Sequence, residues 1–215
     1  MKINKIAIYG AGGFGREVKN IIDAHNAIKP TWEFVGFFDD GSNDSQLIDK
    51  KLFLGGIKEL NNFDCSIDIV IAIGDPNKRM NILKLISNSN ICFPNIIHPK
   101  ASLASGTIKI GKGNIITEGC ILTCNIEIGD FVILNLLVTV GHDSKLKNFV
   151  SIMPGVNVSG EVIINENVYV GTGAKIINLV NIGYGSIIGA GSVVSRSIPE
   201  NCTAVGVPAK PIKFH

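Results

Sequence analysis

The sequence predicts two folds in one chain: a small α/β domain over residues 1–95, then a parallel β-solenoid over residues 96–198, with residues 199–215 as a capping tail. Three observations carry this. From Ile110 to Val194 every sixth residue is aliphatic, without exception. Before that series, short apolar runs alternate with helix-patterned segments. Between the two, Pro94 and Pro99 bracket a short extended stretch, and the period changes beyond it.

The first half reads in order as follows. Lys5–Tyr9 is a strand ending in Gly10-Ala11-Gly12-Gly13-Phe14-Gly15, and a helix follows from Arg16 to about His25. Phe34–Phe38 is a second strand, closed by Asp39-Asp40, and Leu52–Leu54 a short third. Asp68–Ile73 is a buried strand, followed by Gly74-Asp75-Pro76 and a helix over Arg79–Ser87. Strands alternating with helices imply a small parallel sheet with both faces covered. The glycine loop fits GxGxxG at Gly10, Gly12 and Gly15, which makes the domain Rossmann-like: loop amides and a helix N-terminus suit a diphosphate. At about 95 residues the domain is shorter than a full six-stranded dinucleotide fold.

A period of six fits neither an amphipathic helix nor a lone strand. It fits short strands stacked as a prism around an aliphatic core. A second apolar series lies two residues before the first and includes Ile108, Cys120, Ile126, Val132, Val138, Val150, Val156, Val162, Val168, Ala174 and Val180. Small and β-branched residues suit a narrow interior. Glycines that follow the main series, such as Gly111, Gly129, Gly141 and Gly171, are expected at corners with positive φ. His98 and Ala104 occupy the two slots upstream of Ile110. Three hexapeptides make a coil, so the series predicts about five coils. The tail, with Pro199, Pro208 and Pro211, is expected outside the repeat.

Composition excludes several classes. Hydrophobic residues make up 46% and charged residues 18%, as in a globular chain. No apolar run reaches the length of a membrane span. Met1-Lys2-Ile3-Asn4-Lys5 leads straight into the first strand, without an apparent export signal. A net charge of +2 is too small to imply nucleic-acid binding. Five cysteines without a CxxC pair suit reduced thiols in a cytoplasmic bacterial protein. Cys120 falls in the second apolar series and is read as a packed side chain.

His142 is the candidate catalytic base. Of four histidines it alone lies within the aliphatic repeat, two places after Val140, where it projects from a corner. Acyl transfer to an amine or hydroxyl needs a base near neutral pH, and imidazole supplies one. Asp143 is placed to orient it; the bland alternative is a surface His-Asp pair in a turn. Gly160 lies eighteen residues on, one coil along, where its N–H suits a developing oxyanion. A corner with no room for a Cβ is a compatible reading.

These residues together are recognisable. Gly10–Val18, Phe38-Asp39-Asp40, Gly141-His142-Asp143, Pro154-Gly155, Ser159-Gly160, Gly189–Val194 and Gly206–Lys210 give the resemblance. The chain resembles bacterial sugar acetyltransferases of the left-handed parallel β-helix superfamily, in particular nucleotide-sugar N-acetyltransferases and sialic-acid O-acetyltransferase-like proteins. The resemblance implies left-handed coiling, acetyl-CoA as cosubstrate, no metal, and a homotrimer with active sites between subunits. It implies direct transfer to the amino group of a UDP- or dTDP-linked 4-amino-4,6-dideoxy sugar, for surface glycan synthesis. Gly160, Thr172 and Ala190 then match acetyl-CoA contacts, and Lys210 a CoA phosphate contact. Ser151 stands where similar enzymes often carry a second histidine against acetyl-CoA. Gly12, Gly13 and Phe14 match the diphosphate site, Phe14 replacing a frequent histidine. Asp39 and Asp40 match the base-binding side of the substrate site, Gly56 belongs to the same substrate site, and Asn135 matches the sugar site. Bland readings stand beside these: a solvated strand end for Asp39-Asp40, a turn asparagine for Asn135, a solvated lysine for Lys210.

Two alternatives stay open: O-acetylation of a sugar of the sialic-acid type, and a non-catalytic nucleotide-sugar-binding module. A zinc-dependent β-helix anhydrase would need three histidines on one metal, and the repeat contains one.

Overall fold

The computed structural model describes residues 3–41 and 49–215. Met1-Lys2, read above for an export signal, lie outside them. The N-terminal domain is a four-stranded parallel sheet, β1 (Asn4–Tyr9), β2 (Trp32–Phe38), β3 (Ile67–Ile71) and β4 (Ile91–Cys92), in the order β2-β1-β3-β4. Ile6 to Tyr9 are all buried, as expected of a central parallel strand covered on both faces. Helix α1 (Gly13–Ile28) buries Val18, Ile21 and Ile22, a spacing that forms one stripe. It starts three residues earlier than the sequence pattern suggested, because Gly12 serves as its N-cap.

Three further details depart from expectation. Leu52–Leu54 is not a strand: Lys50–Leu52 forms a 3₁₀ turn, and Phe53 makes a single bridge to Phe37. Helix α2 (Ile57–Asn61) has five residues, too few to show a helical period in sequence. Helix α3 (Pro76–Leu85) begins at the proline, with Asp75 accepting a hydrogen bond from Lys78 N at 3.0 Å. An aspartate N-cap followed by proline at the first helical position is a start signal.

The second half is a parallel β-solenoid of about six coils, one more than the aliphatic series predicted. Its first face stacks Ile96–Ile97, Ile115–Ile116, Ile133–Leu134, Ser151–Ile152, Tyr169–Val170 and Ile187–Ile188. The second face runs from Ser102–Leu103 to Val193–Val194, the third from Ile108–Ile110 to Asn181–Ile182. The extra coil lies upstream. Its inward slots are Ile97 and Leu103, not His98 and Ala104. Ile97 pairs with Ile116 and Leu103 with Leu122, a step of 19 residues, whereas pairs such as Ile110↔Ile128 step by 18. The additional residue sits in the turn between Leu103 and Ile108.

Both apolar series line one continuous core. Where the second series turns polar, the side chain is buried and paired: Asn114 Oδ1 accepts from Val132 N at 2.6 Å, and Ser144 Oγ donates to Ser159 O at 3.1 Å. The glycine expectation is corrected. None of Gly111, Gly129, Gly141 and Gly171 has a positive φ; the left-handed residue falls two places later, as at Gly113, Phe131, Asp143 and Gly173. Gly141 is needed for a different reason: a Cβ there would stand 2.6 Å from Gly160 N on the next coil.

The tail also differs from expectation. Cys202–Gly206 adds in parallel to Ile187–Ile188, and Ala209–Phe214 folds back on it as an antiparallel hairpin. Ile198, the last solenoid residue, bridges Ile182, and the tail's first strand prolongs the solenoid before the hairpin caps it.

The N-terminal domain packs on the first face. Outward-pointing Ile96, Ile115 and Ile133 share a core with Ile6, Ile8, Val18, Ile22 and Val70. Beside them Arg79, 1% exposed, crosses from α3 into the solenoid. It donates to the carbonyls of Ile73 (2.5 Å), Phe131 (3.0 Å) and Phe149 (2.8 Å) and to Ser151 Oγ (2.8 Å). Burial pulls the guanidinium down to about 9, so it stays charged at neutral pH. Phe131 stacks on Phe149 with ring centroids 5.4 Å apart, one coil above the other.

Candidate active site

The corner after the second face carries the candidate base. Val140 is buried, Gly141 turns the chain against the next coil, and His142 projects with its side chain 57% exposed. Its Nδ1 lies 2.8 Å from Asp143 Oδ2. Asp143 holds φ 59°, and its other oxygen accepts from Asn125 Nδ2 at 3.0 Å. Hydrogen bonds from His142 and Asn125, in that order, hold its carboxyl below the usual carboxylate range. An ionised partner on Nδ1 fixes the proton there and leaves Nε2 free to accept one.

Gly160 lies directly against this ring. A Cβ on it would fall 2.6 Å from both His142 Cε1 and Nε2. Gly160 is buried, and no acceptor for its N–H is found among the described residues, which leaves that donor available beside the imidazole. The geometry therefore brings together His142, Asp143 and Gly160.

It does not bring the other expected acetyl-CoA residues to that corner. Thr172 and Ala190 are exposed at the corner after the first face, two coils and three coils above Leu136, the neighbour of Asn135. At that corner Gly155, Gly173 and Gly191 form a strip with nothing within 4 Å of a Cβ position. Lys210 is exposed on the terminal hairpin. Ser151 departs from expectation: it is fully buried under the N-terminal domain, accepting from Arg79 and donating to Gly74 O at 2.7 Å. Its hydroxyl joins the two domains and presents no surface to a ligand in this chain.

The glycine loop divides by role. Gly10 and Gly15 are packing glycines, since a Cβ on Gly15 would meet Gly10 O at 1.9 Å and one on Gly10 would meet Ala72 O at 2.8 Å. Gly12 has nothing within 4 Å and Gly13 only the Arg16 guanidinium at 3.9 Å, so the open α1 N-terminus lies between them. Phe14 packs its ring on the sheet-side core. Asp39 accepts from Ala11 N and Gly41 N, both at 2.7 Å. Asp40 accepts from Ile57 N at 2.9 Å and from the Tyr9 hydroxyl. Burial and then Asp40 push that phenol well above its ordinary range, so it remains a donor. All four carboxylate oxygens are thus engaged, one of them with the glycine loop at Ala11 N, and a ligand N–H would meet a second lone pair. Gly56 has no room for a side chain, its Cβ position being 2.2 Å from Asp40 Oδ1.

Asn135 is buried at its corner, Oδ1 accepting from Leu136 N at 2.7 Å. Beside it, a cleft of about 230 Å³ opens between α1 and the solenoid, with Glu17, Asn20, His98, Glu118 and Leu136 in its walls. Among the described residues no group of His, Cys, Asp and Glu is arranged to hold a metal ion. No helix there is long and apolar enough to cross a membrane. Sequence reasoning missed Asn125 and Arg79. Asn125 was findable, since it lies one coil below Asp143. Cys120 is buried as expected, and burial pushes its thiol up.

Known proteins share this two-part fold. Residues 5–86 match the PglD N-terminal domain family. GDP-perosamine N-acetyltransferase of Escherichia coli O157:H7 is 29% identical over 210 residues, spanning 95% of this chain and 84% of that one. The acetyltransferase domain of PglB from Neisseria gonorrhoeae FA1090, solved in complex with acetyl coenzyme A, is 32% identical with a TM-score of 0.88, covering 98% of this chain and all of that one. A mutant of perosamine N-acetyltransferase from Caulobacter crescentus, in complex with CoA and GDP-perosamine, is 27% identical with a TM-score of 0.86, covering 99% and 98% of the two chains. With a small α/β domain docked on a parallel β-solenoid and a His-Asp pair on its corner, the chain belongs to the hexapeptide-repeat nucleotide-sugar N-acetyltransferases and is an acyltransferase.

Proposed function

We propose that this protein transfers the acetyl group of acetyl-CoA to the amine of a nucleotide-linked 4-amino-4,6-dideoxy sugar, for surface glycan synthesis in the bacterial cytoplasm. The carrying observation is the His142–Asp143 pair packed against Gly160. The amine attacks the thioester carbonyl while His142 Nε2 takes its proton. The tetrahedral oxyanion is met by the Gly160 N–H. Collapse expels the CoA thiolate, and the imidazolium returns the proton to that sulfur. Asp143 stabilises the imidazolium throughout.

Residues 1–95 select the nucleotide sugar and residues 96–198 carry the transfer. Gly12 and Gly13 leave the α1 N-terminus open for the diphosphate, next to Phe14. Asp39, Asp40 and Gly56 shape the base side. The expected nucleotide was UDP or dTDP; the GDP-perosamine relatives add GDP. Thr172, Ala190 and Lys210 take the CoA on a corner other than that of His142, and Asn135 lies below them. A site built from both corners needs two chains, which supports a homotrimer. Leu137 and Leu179, 65% and 68% exposed, supply apolar contact at these two corners.

The test is turnover of acetyl-CoA with UDP-, dTDP- and GDP-linked amino sugars, products read by mass spectrometry. His142→Ala is expected to lower kcat by ~100-fold or more. Undiminished turnover in that variant, or acetylation of hydroxyls alone, overturns the reading. Light scattering is expected to give a trimer; a fully active monomer refutes the shared site.

A further inference from the structure

One coil below the His-Asp pair, Asn125 makes a contact that the reaction as described leaves unexplained. Asp143 is half exposed, and its partner is the preceding residue, so nothing in the chain's covalent geometry holds the carboxylate plane still. An exposed ion pair of this kind is worth little and samples many orientations. An open groove of about 320 Å³, reaching Asn125 from below along Gly106, Thr107 and Glu127, gives water access to the same corner. Yet Asp143 Oδ1 is occupied by Asn125 Nδ2 at 3.0 Å, which leaves Oδ2 facing His142 Nδ1 at 2.8 Å. The main chain is fixed in parallel, with Asp143 N donating to Cys124 O at 3.0 Å.

A left-handed turn is the ordinary reason for an asparagine, and Asn125 has φ 55°. That reason does not account for this one. Glu161 and Leu179 occupy the same place two and three coils above at φ 58° and 64°, so the corner accepts other side chains. What Asn125 alone adds is a donor aimed at the carboxylate.

We infer that Asn125 is a positioning residue, whose carboxamide orients Asp143 so that His142 carries its proton on Nδ1 and presents a bare Nε2 to the acceptor amine. An isolated imidazole divides its proton between the two nitrogens. The tautomer with the proton on Nε2 cannot act as base toward the acceptor. Asn125 acts through Asp143 and touches no reacting atom. This deepens the assignment of His142 as base and rests on it.

The experiment is ¹⁵N-histidine NMR of the full chain, paired with steady-state kinetics. Asn125→Gly removes the carboxamide and suits the left-handed backbone. Asn125→Asp keeps the shape and replaces the donor with an acceptor. In the wild type His142 is expected as the Nδ1–H tautomer. In both variants the Nε2–H tautomer is expected to grow and kcat to fall by about tenfold, the loss of one hydrogen bond to a charged group. The KM for acetyl-CoA is expected to stay within about twofold, since ground-state binding is untouched. A wild-type tautomer and wild-type kcat in the folded variant overturn the inference, and either variant suffices if the other fails to fold. Should His142→Ala turn over normally, the base assignment fails by itself. The tautomer readout would still report whether Asn125 sets the ring.

Discussion

Adding one methyl group at Gly160 separates chemistry from stability. A Cβ there stands 2.6 Å from His142 Cε1 and Nε2, whereas ordinary contact begins near 3.4 Å. The imidazole must retreat by about 0.8 Å, and the main chain of Gly160 cannot yield because Gly141 and Gly160 are already in backbone contact. A retreat of that size breaks the 2.8 Å bond to Asp143 or turns Nε2 off line. Misplacing a reacting group by roughly 1 Å can cost about 100-fold. Gly160 has no positive φ, so alanine adds no backbone strain and lowers the entropy of the unfolded chain, worth about 0.4–1 kcal/mol. Gly160→Ala should therefore keep its melting temperature while kcat drops about 100-fold. The assay is thiol release from acetyl-CoA under saturating substrates, with thermal melts alongside. Wild-type kcat in a folded Gly160→Ala protein would refute the argument that this glycine exists to seat the ring.

Three further outcomes follow from the same geometry. Arg79→Met strands the carbonyls of Ile73, Phe131 and Phe149, and should cost about 3 kcal/mol or more in chemical denaturation; Arg79→Lys should not restore it, because one ammonium cannot span three directions. Ser151→His, which installs the side chain frequent in similar enzymes, should destabilise rather than improve cosubstrate binding, since Ser151 is fully enclosed between Arg79 and Gly74 O. A calorimetric titration with CoA and a melt would show it. Asp143 is held below the usual carboxylate range and stays ionised at neutral pH, and its pairing is lost only as pH falls through that lowered value. In Asp143→Asn the anion that stabilises the imidazolium formed during transfer is gone, so kcat should fall about tenfold or more.

The solenoid was legible because stacking forces one residue in six to face the core. Its first coil was not, because a single extra residue before Ile108 shifts the slots and His98 falls where Ile97 belongs. The candidate base stood out as the repeat's lone histidine, and Gly160 beside it was found by counting one coil. The corner glycines were misjudged because sequence does not distinguish a glycine needed for φ from one needed for closeness. Ser151 shows a different limit. A position transferred from similar enzymes carries no information about what this chain has docked over it. The signal was nevertheless in the outward column, Ile96, Ile115 and Ile133, which is too apolar for a solvent face. Helix α2 left no trace, since five residues cannot show a period of 3.6.

Arg79 has a consequence beyond holding two domains together. A prism of near-identical coils offers a docking partner many equivalent heights, about 4.8 Å apart. The outward column breaks that equivalence above Ile133, where Ser151 follows in place of an aliphatic residue, and Arg79 reinforces the break through its hydrogen bonds. It reads the carbonyls of Phe131 and Phe149, which enter the same two coils that bear His142 and Gly160. The guanidinium is thus an index mark on a repeating scale, setting the level of the glycine loop against the level of the base.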